Sequence, residues 1–533
     1  MLWKKESNSP NTLYEDLFDR KTIAMVDKMF PMSNRNPVPR KNDVISLQKR
    51  KEGNRSFANG KWAEAIEKYN ESLCFATTAS EHISLAYANR ASCFLHLKLY
   101  NECLIDIDLA RKAGYPERLM PKLDQREGDC LKGRDDSIPL NEFNQKLSFE
   151  PDEKIPCMAN VLKIEKNDAG KLSMVAKDNI DVGQTIILGK PFCVYLYSRF
   201  AWKCNICLKD NTNLVSCKKC TNVMFCSDEC QSNDLHNHEC GLKFIDDGQQ
   251  NAQYLNEIRV LLLAINIFHS NIDELMSFVE QTVKSEPPRE VPMSLADDQS
   301  KYRAFLKFPI SAQFARRPDF LLLVYSIYKA CQTIPYIAAK FSSLKHRRFL
   351  MHLIAHHIQI TNFNSYQVNN QKTHGVDFYH QIGLMTKYFR HSCAPNVLMT
   401  ERDGISIYTA IRSIKKGDEL FISYFKFLGL PKHVRQQELW NQVHIKCNCS
   451  RCMGAAASSD QRQQLATDPD FPLILSSASN LSPYASQKIE DTIEKCIAFL
   501  TKYGQIKWCD EIGEAVDAYI KTLDCRIPRP LFT

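Results

Sequence analysis

Apolar and polar residues keep two different rhythms along this chain. In "RKEGNRSFANGKWAEAIEKYNESL", from Arg50, and "LAYANRASCFLHLKLYNECLIDIDLARKA", from Leu85, small and aromatic residues recur at helical spacing. Gly53, Gly60, Trp62, Ala65 and Tyr69 mark the first stretch, and Ala91, Leu95, Tyr100 and Cys103 the second, as expected of paired helix–turn–helix units. A further helix is expected from Pro121. Between Asn160 and Phe192 the rhythm shortens to strand-like alternation around turns at Ala169–Gly170 and Val182–Gly183, and it does so again from Gly404 to Phe427. "FLLLVYSIYKACQTIPYI", from Phe320, reads as one buried helix, and the tail beyond Asp470 reads as helical. Three polar stretches read as linkers: Pro31 to Asn42, Glu286 to Lys301 and Gly454 to Asp470. The pattern predicts an α+β multidomain chain with a helical N-terminal part, a cysteine-rich mixed middle and a helical tail.

Composition narrows the class. The 533 residues allow two to four domains, and 44% hydrophobic with 24% charged residues suits a globular core. The longest apolar runs, such as "VLLLAINIF" from Val260, fall short of the ~18 residues of a membrane span. No signal-like run opens the chain, so a soluble intracellular protein without membrane attachment is expected. The net charge of +8 is spread out and gives no reason to expect direct nucleic-acid binding. The 21 cysteines are clustered, which in a long intracellular chain points to metal rather than disulfides.

The first cluster offers Cys204, Cys207, Cys217, Cys220, Cys226, Cys230, either His236 or His238, and Cys240. Eight soft or borderline ligands in pairs suffice for two tetrahedral zinc ions. Downstream, "CNCSRC" supplies Cys447, Cys449 and Cys452, one ligand short of a third site. Cys393, in "KYFRHSCAPNV", is the candidate to complete it. "HLIAHH", from His352, spaces histidines four apart but lacks the glutamate of a zinc protease, so core or surface histidines are expected.

These motifs carry a resemblance. The paired helices resemble tetratricopeptide repeats, whose period is ~34 residues. The cysteine spacing resembles the MYND finger. On that likeness Cys204, Cys207, Cys226 and Cys230 would share one zinc, and Cys217, Cys220, His236 and Cys240 the other, with His238 remaining an alternative. Asn160 to Phe192 and Gly404 to Phe427 resemble the two halves of a SET domain, and the cysteines after them resemble its post-SET zinc site. In this order the chain resembles the SET and MYND domain family, in its tetratricopeptide-bearing branch. The implied organisation is an arm at 1–42, repeats at 43–136, SET halves at 155–203 and 371–430, and the finger at 204–240. A helical insertion at 241–370, a post-SET segment at 431–453 and C-terminal helices at 471–533 complete it.

The resemblance implies methyl transfer from S-adenosylmethionine to a lysine of a histone or non-histone protein, with three zinc ions. Tyr424, in "GDELFISY", would be catalytic, and Phe425 and Phe427 would be channel walls or plain core. Gly170, Lys171, Asn364 and His391 match positions that hold the cofactor, and Arg390 stands where the family has an asparagine. Repeats of this kind clamp the acidic C-terminus of cytosolic heat-shock chaperones. Arg50, Asn54, Asn89, Lys122 and Arg126 match the clamp, against a solvated basic face as the plain alternative. The finger would bind a Pro-rich or corepressor peptide, or serve structure only. Cytoplasm and nucleus are the expected locations. Two functions remain open: a docking methyltransferase, favoured by Tyr424 and the post-SET cysteines, and a catalytically silent adaptor or corepressor scaffold, favoured by Arg390.

Overall fold

The computed structural model describes residues 40–133, 145–166, 170, 172–196, 203–210, 213–241, 252–284, 294–310, 318–372, 375–425, 429–443, 445–454, 456–479, 481 and 486–525. The arm at 1–39, Lys171 and Phe427 lie outside them.

The helical N-terminal part starts at Asn42, whose side chain accepts hydrogen bonds from the Val44 and Ile45 amides and so caps α1 (Asp43–Ala58). Then follow α2 (Trp62–Phe75), α3 (Glu81–His96), α4 (Tyr100–Lys112) and α5 (Met120–Gly133), stacked as antiparallel hairpins. The small and aromatic positions meet where helices touch. A Cβ at Gly53 would lie 2.5 Å from the Tyr69 ring, so only glycine lets α1 and α2 approach this closely.

The mixed middle is built from short sheets. Antiparallel β1 (Leu162–Lys166) and β2 (Leu172–Ala176) are followed by β3 (Thr185–Gly189) and β4 (Cys193–Leu196). The cysteine-rich segment contributes β5 (Val215–Ser216), β6 (Met224–Phe225), α6 (Asp228–Gln231) and α7 (Asp234–Glu239). Helices α8 (Ala252–Ile267), α9 (Ile272–Lys284), α10 (Asp298–Leu306), α11 (Pro318–Gln332), α12 (Pro335–Lys340) and α13 (Leu344–Asn364) intervene before strands resume. The hairpin β7 (Ser365–Lys372) and β8 (Gly375–Ile382) pairs with β4. The pair β9 (Arg390–His391) and β12 (Phe421–Ile422) is parallel, and the hairpin β10 (Val397–Arg402) and β11 (Ile405–Ala410) pairs with β3. One apolar core joins these sheets to the inserted helices, through residues such as Ile187, Leu261, Phe305, Leu350 and Tyr408. The chain ends in α14 (Lys432–Val443), α15 (Ser459–Ala466), α16 (Asp470–Ser479), α17 (Ser486–Lys502) and α18 (Asp510–Cys525). Arg412 ties this tail to the sheets by donating to the carbonyl of Gly504 at 2.6 Å.

Three expectations need correction. The single helix expected from Phe320 is broken into α11 and α12, because Pro335 lacks an N–H and takes the first position of a new helix. The expected linker at 454–470 contains α15, closed by a capping box between Ser458 and Gln461. The last residues of the linker ending at Lys301 lie in α10, whose start is capped by Asp297. The histidines of "HLIAHH" take the core role: His357 Nε2 lies 3.1 Å from the Tyr302 hydroxyl and His356 Nε2 3.0 Å from the Leu306 carbonyl. No helix among the described residues is long and apolar enough to cross a membrane.

Candidate catalytic and metal sites

Two segments separated by some thirty residues meet at the β9–β12 ladder, where Phe421 faces Arg390 and Ile422 faces His391. Asn396, from the same short motif, secures the contact by taking the Phe421 amide at 2.7 Å and giving a hydrogen bond to the Glu419 carbonyl at 2.9 Å. Just beyond the ladder, Tyr424 is held from both ends. Its hydroxyl donates to the Phe389 carbonyl at 2.7 Å, and its amide donates to His391 Nδ1 at 3.1 Å. The His391 proton therefore sits on Nε2, 3.3 Å from the Cys393 sulfur. Burial pushes the His391 pKa down to about 4, so the ring is neutral at physiological pH, and burial raises that of Tyr424, which keeps its proton. The Phe425 ring packs against His391.

Arg390 is not a free cation in this group. Its Nε donates to one Glu419 oxygen at 2.6 Å and its Nη2 to the other, while the guanidinium lies 5.3 Å from the Phe421 ring centre. The fork matches the carboxylate and cancels its charge. Sequence reasoning missed Glu419, which lies two residues before the position facing Arg390 and is brought to its side chain only by the fold. Gly170, at the β1–β2 turn, has φ +71° and open space around the position of a Cβ. Asn364 ends α13, and its amide nitrogen donates to the carbonyls of Pro309 at 2.9 Å and Ile360 at 2.8 Å. Both N–H donors are thus spent, and what Asn364 can still offer is its oxygen acceptor.

Among the described residues, eleven of the cysteines and His236 fall into three groups of four. Cys204, Cys207, Cys226 and Cys230 form one, Cys217, Cys220, His236 and Cys240 the second, and Cys393, Cys447, Cys449 and Cys452 the third; ligand atoms within each lie within 4.8 Å of one another. A tetrahedral zinc with bonds near 2.3 Å needs sulfurs about 3.8 Å apart. The observed separations include 3.6 Å for Cys207–Cys226, 3.8 Å for Cys217–Cys240 and 3.9 Å for Cys393–Cys447. In each group one thiol is pushed towards the thiolate by hydrogen bonds from its neighbours: Cys204 by Cys207, Cys217 by Cys220 and Cys449 by Cys393. His236 brings Nε2 to 3.2 Å from the Cys217 sulfur, whereas His238 stacks on Tyr336 with ring centres 3.6 Å apart. The donor sets suit zinc.

The finger formed by the first two groups is gripped on several sides. Buried Arg90 of α3 forms a two-pronged pair with Asp106 of α4 and also donates to Asn70 and the Leu214 carbonyl. Asn213 donates to Asp106 at 2.7 Å. Towards the inserted helices, buried Arg259 pairs with Glu239 and reaches Asn205. At the β10–β11 turn, Gly404 sits so close to the finger that a Cβ would fall 2.1 Å from the Cys207 carbonyl oxygen.

Four of the five predicted docking residues come together on the helical hairpins. Asn54 accepts from Asn89 and from the Tyr69 hydroxyl, both at 2.9 Å, and Arg126 donates to the Ala88 carbonyl at 2.7 Å. Arg50, one turn before Asn54, is half-buried with the Tyr69 and Tyr115 hydroxyls as electrostatic neighbours, and burial lowers its pKa. Lys122 is exposed, one turn before Arg126.

The SET domain family matches residues 171–425. The chain is 23% identical to Protein-lysine N-methyltransferase SMYD4 of Pongo abelii over 76% of its own length and 66% of that relative's. It is 26% identical to SMYD4 of Danio rerio over 38% of the chain and 30% of the relative. With N-lysine methyltransferase SMYD2 of Mus musculus it shares 22% over 49% of the chain and 52% of the relative. The chain therefore spans two thirds or less of the length of these relatives. The SET segments, the three thiol groups and these likenesses together support a place for the chain near member four of the SET and MYND domain proteins.

Proposed function

We propose that the chain is an S-adenosylmethionine-dependent protein-lysine N-methyltransferase that docks partners through tetratricopeptide-like hairpins and a MYND finger. The observation that carries this reading is Tyr424, fixed between the Phe389 carbonyl and neutral His391 inside a SET domain. The cofactor's methyl is carried on a positive sulfonium. A fit therefore requires that no uncompensated cation face it, and both neighbours meet that condition: His391 is uncharged, and Arg390 is matched by Glu419. Gly170, Lys171, Asn364, Arg390 and His391 are the residues that would hold it, with the spare Asn364 oxygen suited to an ammonium group. The Tyr424 hydroxyl, kept protonated by burial, is the polar group at the reacting end. The surrounding apolar walls, Phe425 among them, favour the free amine of a target lysine, which is the form that can attack.

The hairpin residues Arg50, Asn54, Asn89, Lys122 and Arg126 support docking of an acidic C-terminal tail such as that of a cytosolic heat-shock chaperone. Charge-assisted hydrogen bonds contribute about 1.5–3 kcal/mol each. The uncovered side of the finger is the proposed seat of a Pro-rich or corepressor peptide. A chaperone partner implies work in the cytoplasm and a histone substrate work in the nucleus. The adaptor reading draws its support from Arg390 standing where the family has asparagine, and the Glu419 pairing weakens that support.

Calorimetric titration of the zinc-loaded chain with S-adenosylhomocysteine tests the reading. Binding by the native chain, together with methyl transfer to protein lysines in a cell extract read by mass spectrometry, is expected. Binding only after Arg390→Asn would give the adaptor reading the lead. For docking, a peptide ending in Glu-Glu-Val-Asp should be retained by the native chain and lost by Lys122→Ala/Arg126→Ala. Equal retention by both would remove it.

A further inference from the structure

The third thiol group is served by a helix that carries no metal ligand of its own. Residues 435 and 436, adjacent in α14, reach it in different ways. Gln436 grips the backbone of the knuckle: its Nε2 donates to the Cys447 carbonyl at 2.7 Å, and its Oε1 takes the Cys447 amide at 3.1 Å. Arg435, only 3% exposed, turns its guanidinium to the sulfurs. Its Nη2 lies 3.8 Å from the Cys452 Sγ, its Nη1 donates to the Leu430 carbonyl, and its Nε is buried without a partner. An arginine taken out of water this completely demands a counter-charge, and four thiolates on a divalent ion carry a net charge of about −2. Cys393 and Cys452 are its charged neighbours.

A second observation points the same way. The half-buried Lys41, at the start of the helical part, has Cys217, Cys220 and Cys240 of the second group among its electrostatic neighbours. Two thiol groups thus each have a cation from a segment outside their own ligand loops. From this we propose that Arg435 is the counter-cation of the third zinc site, a positioning residue that stabilises the tetrathiolate around its ion, with Gln436 fixing the knuckle that carries Cys447 and Cys449. The inference rests on the zinc reading of the third group but not on catalysis.

The test is zinc retention by the full chain. Native protein, Arg435→Met and Arg435→Lys are purified with zinc. Metal per chain is counted by mass spectrometry, and release to a chromophoric chelator is followed over time, with circular dichroism as the folding check. Native protein holding three ions validates the underlying site, and two ions in native protein with Cys393→Ser unchanged would overturn the zinc reading itself. Given three, the Met variant should release one ion about 10- to 100-fold faster while two keep their native rates, and the Lys variant should stay close to native. A folded Met variant with native release overturns the proposal, as does a folded Lys variant that has lost the third ion. If the Met variant does not fold, a folded Lys variant with three firmly held ions supports the charge role. Failure of both to fold overturns the proposal, since shape rather than charge would then be what Arg435 supplies.

Discussion

Lys387 opens the "KYFRHSC" segment, and among the described residues no acid pairs with its ammonium. It donates to the Ala304 carbonyl at 3.2 Å and lies 4.3 Å from the Phe308 ring centre and 4.9 Å from that of Tyr388. The residue as a whole keeps some solvent contact, but the charged end is enclosed by protein, and burial pulls its pKa from 10.5 to about 7. At ~1.4 kcal/mol per pH unit, that displacement means roughly 5 kcal/mol against the charged form in the folded chain. The remaining solvent contact screens part of this, leaving a cost on the order of 3 kcal/mol. The sign follows from linkage. The unfolded chain keeps the proton up to pH 10.5 and the folded chain only up to about 7, so the cost is full below neutral pH and fades as pH climbs towards 10.5. Methionine has a similar length and no charge. Lys387→Met should therefore raise the melting transition of the catalytic part by roughly 6–12 °C at pH 6.5, and by much less at pH 9.5. Scanning calorimetry of zinc-loaded protein at the two pH values reads both. A variant no more stable than native at pH 6.5 would refute the reasoning, and so would an equal gain at both, which would trace the gain to packing.

Three further outcomes are expected. Gly404→Ala forces a Cβ onto the Cys207 carbonyl from a backbone at φ +72°, so it should cost about 2–4 kcal/mol and loosen the first zinc, measured by calorimetry and metal content. Arg90→Met strands the Asp106 carboxylate in the core and should destabilise the helical hairpins by about 3–5 kcal/mol, with part of the loss recovered in Arg90→Met/Asp106→Leu; urea unfolding of the two variants compares them. Tyr424→Phe should leave S-adenosylhomocysteine affinity near native while lowering methyl transfer by at least about 10²-fold, read by parallel calorimetry and a transfer assay.

The metal groups were the most legible part of the chain because ligand pairs are set by local spacing: C-x-x-C fixes two sulfurs whatever the rest of the fold does. Cys393 is legible from its setting: three cysteines leave a tetrahedron open, and the surrounding "HSCAPN" resembles the motif that fills it. The helices of the N-terminal part were legible for a related reason, as Gly53 and Tyr69 mark the place where two helices must touch. What the pattern hid was long-range register. Glu419, just before β12, pairs with Arg390 of β9, and nothing in either segment announces the other. Arg435 looks like any arginine of a polar helix, and its burial is a tertiary fact. The helix at Ser459–Ala466 is a different case, because its capping box was written in the sequence but lay within a stretch rich in alanine, serine and glutamine that reads as a linker.

The contacts around the finger bear on how the proposed docking and catalysis would be joined. On one side, the Arg90–Asp106–Asn213 network and the Ser216 hydroxyl, bonded to the Leu73 carbonyl at 3.0 Å, fix the finger to the helical hairpins. On another, Arg259 with Glu239 fixes it to the inserted helices, and Gly404 meets it at the β10–β11 turn. Both pairs are fully desolvated, so each holds only while its geometry is intact, and separating either would leave a bare charge in the core. The finger's own buried apolar residues in the cluster it shares with the hairpins are few, Leu214, Val223, Met224 and Phe225, so its shape would depend on the two ions its cysteines are arranged to bind. Metal in the finger is therefore a condition for the hairpins and the SET sheets to keep one fixed relation. On the docking reading, a partner held at Arg50 and Arg126 would be presented to the SET part at a set distance and orientation, whereas a chain stripped of zinc in the finger would retain both parts and lose the link between them.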